Sequence, residues 1–201
     1  MVVIPVKRLA EAKTRLRPAS AAAGLPHEDL VLALASDTVR AAVACPVVAE
    51  VIVVTEDPLA SRVLAGLGAR VVPDRPAAGL NPALARVAGR VADRPVAALT
   101  ADLPALRPQE LADALRTVNH RPGFVADAAG TGTTLLAAPT GAAFDPRFGP
   151  DSAARHAAAG ARHLTGSWPG LRRDVDTGAD LAHAQALGLG PASTRLWPPP
   201  G

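Results

Sequence analysis

The chain has 201 residues, of which 49% are hydrophobic and 19% charged, with a formal charge of +3. That length supports one well-packed domain and is short for two, and the balance is that of a globular rather than a disordered chain. With 2% aromatic residues, no Tyr and scattered arginines, the sequence lacks the clustered basic face and stacking rings of a nucleic-acid binder.

VVIPV (2–6) reads as a first strand, buried on both faces because it does not alternate. Lys7 and Arg8 follow too soon for a signal peptide, and no apolar run approaches the roughly 18 residues of a membrane span. The expected compartment is the cytoplasm, with no membrane partner. Residues 27–45 have helical spacing, acidic residues in the first turn and Pro46 just past the end. Cys45, the single cysteine, excludes an internal disulfide and a thiolate zinc site and reads as a small buried residue. A second strand is expected at 47–55, a short helix at 58–68 and a third strand at 69–74. Residues 81–93 read as a helix, and 95–104 as a strand running into an acidic turn. This order implies a parallel, doubly wound sheet with right-handed crossovers.

After Pro108 a helix is expected to about Val118, then strands at 123–127 and 133–138 around an AAGTG turn. A helix at 152–159, a short strand at LRRDV (171–175) and a helix at 179–188 complete the core. The division is a domain over 1–190 and a tail over 191–201, poorly ordered or lying flat on the surface.

In an open parallel sheet, ligands bind beyond the carboxyl ends of the strands, where strand order reverses. That rule selects segments 7–18, 74–81 and 101–104. The first holds Lys7, Arg8, Lys13, Arg15 and Arg17, and Lys7 and Lys13 are the only lysines in the chain. Such a cluster is either a solvated basic loop or a site for a phosphate chain. No Walker loop and no GxGxxG fingerprint is present. Asp102 in TADLP is either a turn or cap residue or a ligand for Mg²⁺, which prefers hard oxygen donors and bridges to phosphates. On a strand, Asp174 and Asp176 would share a face and repel unless a cation sat between them, while Asp180 reads as a helix cap. The start of the 152–159 helix, with Arg147, Arg155 and His156 around it, reads as a pocket for a small phosphorylated acid. The alternative is a plain cap with an Arg155–Asp151 salt bridge.

VKRLAEAKTRL, GLNPAL, TADLPAL, GTGTTLL, FGPDSAARH and WPGLRRDVDT, in this order, resemble the phosphoenolpyruvate/2-phospho-L-lactate guanylyltransferases of coenzyme F420 biosynthesis. The likeness runs from the first strand to about Gly190. It implies a single-domain α/β, Rossmann-like (GT-A-like) nucleotidyltransferase fold, with a mostly parallel central sheet flanked by helices. It also implies transfer of GMP from GTP to phosphoenolpyruvate, giving enolpyruvoyl-2-diphospho-5'-guanosine and diphosphate. The acceptors 2-phospho-L-lactate and 3-phospho-D-glycerate stay open.

Matched motif by motif, Lys7, Lys13 and Arg15 would bind the GTP phosphates, and Leu80 and Asn81 would lie by the guanine. Asp102, Asp174 and Asp176 would hold Mg²⁺, and Thr133, Gly149 and Ser152 the acceptor acid. The resemblance further suggests coupling to the downstream transferase of F420 assembly. The chain opens almost directly on its first strand where relatives often carry a few residues more, as a misassigned start would produce. A molybdopterin guanylyltransferase would carry a glycine-rich LAGGxSxRMG loop, which is absent. A non-catalytic nucleotide-binding regulator would bind GTP without releasing pyrophosphate.

Overall fold

The computed structural model describes residues 1–74, 79–89 and 94–197. Its strands are β1 (Val2–Pro5), β2 (Val51–Val54), β3 (Arg70–Val72), β4 (Val96–Leu99), β5 (Gly123–Ala126), β6 (Thr133–Ala138) and β7 (Arg162–His163). Between them run a 3₁₀ turn (Thr14–Leu16) and helices α1 (Arg17–Ala22), α2 (His27–Val43), α3 (Pro58–Gly66), α4 (Leu80–Gly89), α5 (Pro108–Arg116) and α6 (Ser152–Ala158). Helices α7 (Pro169–Arg172), α8 (Gly178–Leu187) and α9 (Pro191–Leu196) follow β7.

The strands form one sheet in the order β3-β2-β1-β4-β6-β5-β7. All pairings are parallel except those of β6, which runs antiparallel to both β4 and β5. The expected α/β architecture with a mostly parallel sheet is therefore present. Strands β1, β2 and β4 are apolar runs because helices cover both faces. Alternation along β1 sends Val2 and Ile4 to the side of Val31, Ala35 and Val39 of α2. Val3 joins Ala83, Leu84 and Val87 of α4 on the other side. From β1 the chain steps outward to β2 and β3, then returns to place β4 on the opposite flank. That reversal opens a crevice at the carboxyl ends of β1 and β4.

Four expectations need correction. LRRDV is not a strand: Pro169–Arg172 is the helical turn α7, which begins on a proline. Its opening N–H groups, those of Gly170 and Leu171, donate to the Glu110 carboxylate at 3.2 and 3.1 Å. The edge strand is instead β7, whose two residues are too short to leave a pattern. β2 starts only at Val51, because Val48 N–H turns back to Cys45 O. Segment 7–18 is partly helical, closing in the 3₁₀ turn and the start of α1.

Residues 191–196 are an ordered helix packed against α2, since Ala192 and Ser193 N–H donate to the buried Asp37 carboxylate at 2.9 and 2.7 Å. Residues 198–201 of the tail, 90–93 of the expected helix and 75–78 of the segment after β3 lie outside the described residues.

Candidate active site

At the crevice lies a cavity of about 930 Å³, lined among others by Lys7, Arg8, Lys13, Arg15, Leu80, Asp102 and Asp176. Its cationic wall is held by two fully buried leucines, Leu9 and Leu16. Leu9 N–H donates to Asp57 Oδ2 at 3.0 Å, while the other Asp57 oxygen accepts from Leu59 and Ala60 N–H at the start of α3. One carboxylate thus caps a helix and pins the loop; burial opposes its charge, and these N–H groups with Arg8 hold its pKa below the ordinary value. Between the leucines the chain passes through Lys13 at φ 52°, ψ 42°, a left-handed conformation unusual for a side-chain-bearing residue. Lys7, Arg8 and Arg15 stay exposed, and Lys13 turns inward.

Lys13 Nζ donates to Asp176 Oδ1 at 2.5 Å and to Asp102 Oδ2. Burial works against its charge, and the two carboxylates overcome that and hold the ammonium above the ordinary lysine range. Asp102 is placed by the end of β4, and its backbone carbonyl accepts from Val175 N–H at 3.0 Å. Val175 is fully buried, so the chain after α7 is clamped against β4 with Asp174 and Asp176 on either side of the clamp. Pairing along a strand is not what brings these aspartates near Asp102; this one hydrogen bond is. Burial pushes the Asp174 carboxyl up to about 7, reinforced by the negative charges of Asp102, Asp127 and Asp176 against the pull of Lys13.

Among the described residues no three metal-ligating side chains converge into a ready cage. Asp102 Oδ1, however, is buried with no hydrogen-bond partner, and the carboxylates around it leave an excess of negative charge. Hard oxygen donors that supply one or two ligands, with phosphates and water for the rest, are what Mg²⁺ takes. The donor set fits.

The other expected site residues sit differently. Leu80 lines the cavity, whereas the Asn81 amide is spent on the backbone of Phe148: Nδ2 donates to its carbonyl at 3.0 Å and Oδ1 accepts from its N–H at 2.8 Å. Asn81 therefore ties α4 to the 145–151 loop. Thr133 is buried, its hydroxyl 2.9 Å from His156 Nδ1, while His156 Nε2 accepts from Arg147 N–H at 2.9 Å. Gly149 sits at φ 121°, and a side chain there would meet Arg155 Nη2. That guanidinium donates to Phe148 O at 3.2 Å rather than pairing with Asp151. Ser152 is buried and its N–H donates to Gly149 O at 3.2 Å. Thr133 is bonded to His156, Gly149 and Ser152 form the turn that opens the helix carrying it, and Pro150 of the same loop lines the cavity.

Sequence reasoning missed the supports. Asp57 could have been found as the residue before a helix-opening proline. Asp127, whose carboxylate accepts from Thr131 and Gly132 N–H and closes the GTG turn, left no such signal.

Residues 1–165 match a protein family described as guanylyl transferase CofC like. The chain belongs to this family. It is 58% identical to the phosphoenolpyruvate guanylyltransferase of Salinispora arenicola over 97% of this chain and 92% of that protein. It is 56% identical to the protein of the same name from Geodermatophilus obscurus, again over 97% and 92%. Among solved structures, a nucleotidyl transferase from Methanothermobacter thermautotroptrophicus superposes with a TM-score of 0.65 at 20% identity, covering 93% of this chain and 97% of that one. That likeness establishes the nucleotidyltransferase fold; the family membership rests on the sequence.

Proposed function

We propose that this CofC-like chain is a phosphoenolpyruvate guanylyltransferase, which joins GMP from GTP to the phosphate of phosphoenolpyruvate and releases diphosphate. The observation that bears most weight is the near full-length identity to relatives of that name. A cationic loop facing an acidic strand end across one cavity gives the reading a physical basis. An oxygen of the acceptor phosphate forms a bond to the α-phosphorus of GTP as the bond from that phosphorus to the bridging oxygen breaks, and the electron pair leaves with diphosphate. The acceptor is already an anion, so no general base and no covalent enzyme intermediate are needed; positioning and charge suffice.

In this reading Lys7, Arg15 and Lys13 bind the triphosphate and take up charge that grows on the leaving diphosphate. Asp102, with Asp174 or Asp176, holds Mg²⁺, which when bound neutralises the two phosphates that must approach each other. Thr133, Gly149 and Ser152 shape the loop against which the acceptor acid rests, through His156 and Pro150. The protein works in the cytoplasm, and its product is handed to the downstream transferase of F420 assembly. A ³¹P spectrum of a reaction with GTP, Mg²⁺ and phosphoenolpyruvate tests the reading. It should gain the paired signals of a new unsymmetrical diphosphate together with free diphosphate, and a spectrum of unchanged GTP would refute it.

A further inference from the structure

The cavity contains a carboxylate that phosphate chemistry does not explain. Asp74 follows β3, and along the edge β3-β2-β1-β4 it stands three strand positions from Asp102. Neighbouring strands are about 4.8 Å apart, so these two ends of the cavity are separated by roughly 14 Å. An extended nucleoside triphosphate can bridge that span from base to phosphates. Asp74 Oδ1 is buried with no hydrogen-bond partner among the described residues, and Arg86 Nη1 stands 3.9 Å from it. A buried carboxylate oxygen without a donor is costly unless a ligand supplies one. Beside it, Val54, Leu80 and Ala83 line the cavity and pack with Val72 into a single apolar cluster. A flat ring can lie against such a wall.

A carboxylate repels phosphates unless a cation bridges them, and Asp74 stands three strands away from the aspartates proposed to hold one, so it faces the uncharged end of a nucleotide. Guanine offers two parallel donors there, N1–H and the N2 amino group, which match the two oxygens of one carboxylate. Adenine presents an acceptor at N1 and no amino group at C2. We propose that Asp74 reads the guanine base, its carboxylate accepting from N1–H and N2–H while Leu80 and Ala83 support the ring. The inference rests on the guanylyltransferase reading and adds to it the residue that selects the base. The paired oxygens could also accept from a ribose diol, but every nucleoside triphosphate has that diol, so base selectivity separates the two.

The test compares wild type, Asp74→Asn and Glu56→Gln with GTP, inosine, xanthosine and adenosine triphosphates, by diphosphate release and by equilibrium binding. Glu56 is the other carboxylate of this wall. Asp74→Asn should lose roughly 100-fold in kcat/KM for GTP and gain xanthosine triphosphate as a substrate and ligand, because an amide N–H meets the 2-oxo group. A merely structural role cannot produce that gain. Equal losses for all nucleotides, or a switch to xanthosine triphosphate in Glu56→Gln instead, would overturn the inference. If wild type releases no diphosphate at all, the guanylyltransferase reading fails, and the binding preferences still decide whether Asp74 selects the base.

Discussion

Lys13 and Asp176 are 163 positions apart in the chain, yet Lys13 Nζ lies 2.5 Å from Asp176 Oδ1, with Asp102 Oδ2 in contact on its other side. The lysine is the counter-ion of the carboxylates proposed to hold a divalent cation. Were Mg²⁺ and the triphosphate to bind here as proposed, the carboxylates would hold the cation and the Lys13 ammonium would be free for phosphate oxygens. A left-handed backbone at Lys13 aims its side chain inward, whereas Lys7, Arg8 and Arg15 stay exposed.

Replacing Lys13 should therefore separate two properties. Lys13→Ala removes the competing cation, so Mg²⁺ should bind the nucleotide-free protein more tightly than it binds wild type. Turnover should nonetheless fall, by roughly 100-fold for loss of one charged phosphate contact. Lys13→Arg should also be slow, because a guanidinium fork holds carboxylates bidentately and is bulkier than the compact ammonium that has to turn from them to phosphate oxygens. Titration calorimetry with Mg²⁺ and steady-state rates check both. Weaker metal binding in Lys13→Ala would show that the lysine does not compete for the site.

Asp102→Asn keeps the shape of the strand end and the backbone bond to Val175, but it removes the negative charge and replaces one carboxylate oxygen with an NH₂ donor. The Mg²⁺ concentration for half-maximal rate should rise and the maximal rate should drop, with thermal stability changed little. A rate that depends on Mg²⁺ as in wild type would remove Asp102 from the metal site.

The support under the 145–151 loop should respond to acid. His156 is buried, its Nε2 accepts from Arg147 N–H, and its Nδ1 is paired with the Thr133 hydroxyl. A proton on Nε2 would face another N–H. Burial, with the charge of Arg155 next, lowers its pKa from 6.5 to about 4. The folded-state value lies below the unfolded one, so the contribution to stability is complete above pH 6.5 and is lost as pH falls from 6.5 towards 4. An imidazole proton NMR titration should show one histidine still neutral at pH 5. If all histidines protonate near pH 6.5, the loop is not locked in this way.

Helix α9 hangs on one carboxylate. Asp37 takes two backbone N–H groups from its first turn, and Gly190 leaves no room for a side chain against it. Asp37→Ala should lower stability by about 2–3 kcal/mol, the scale of hydrogen bonds to a charged group. Removing residues 191–201 should have a similar effect, measured by urea denaturation. A variant as stable as wild type would mean that α9 contributes nothing to the domain.

Much of the sheet was legible because its central strands are covered on both faces, and unbroken runs such as VIVV follow directly from that. The cationic loop and Asp102 were legible because the strand-end rule selects them before any contact is known. What stayed hidden is set by distant partners. α7 looks like a strand until Glu110 is seen to cap it from 60 residues away. Strand alternation predicts a shared face for Asp174 and Asp176, but their segment is not a strand, and the Val175 bond to the Asp102 carbonyl is what sets them beside Asp102. Thr133 and Ser152 stand in glycine-rich turns, where polar residues serve binding and internal bonding equally well, so their burial and their bonds to neighbours have no signature in the sequence. Asn81, in the same motif as Leu80, is turned away from the cavity by two bonds to Phe148.

The most direct test of the account is diphosphate release by the purified protein with GTP and Mg²⁺, measured separately with phosphoenolpyruvate, 2-phospho-L-lactate and 3-phospho-D-glycerate. Release should depend on the acid and be fastest with phosphoenolpyruvate. GTP binding with no diphosphate from any of the three would contradict the account and leave a nucleotide-binding protein on a transferase fold.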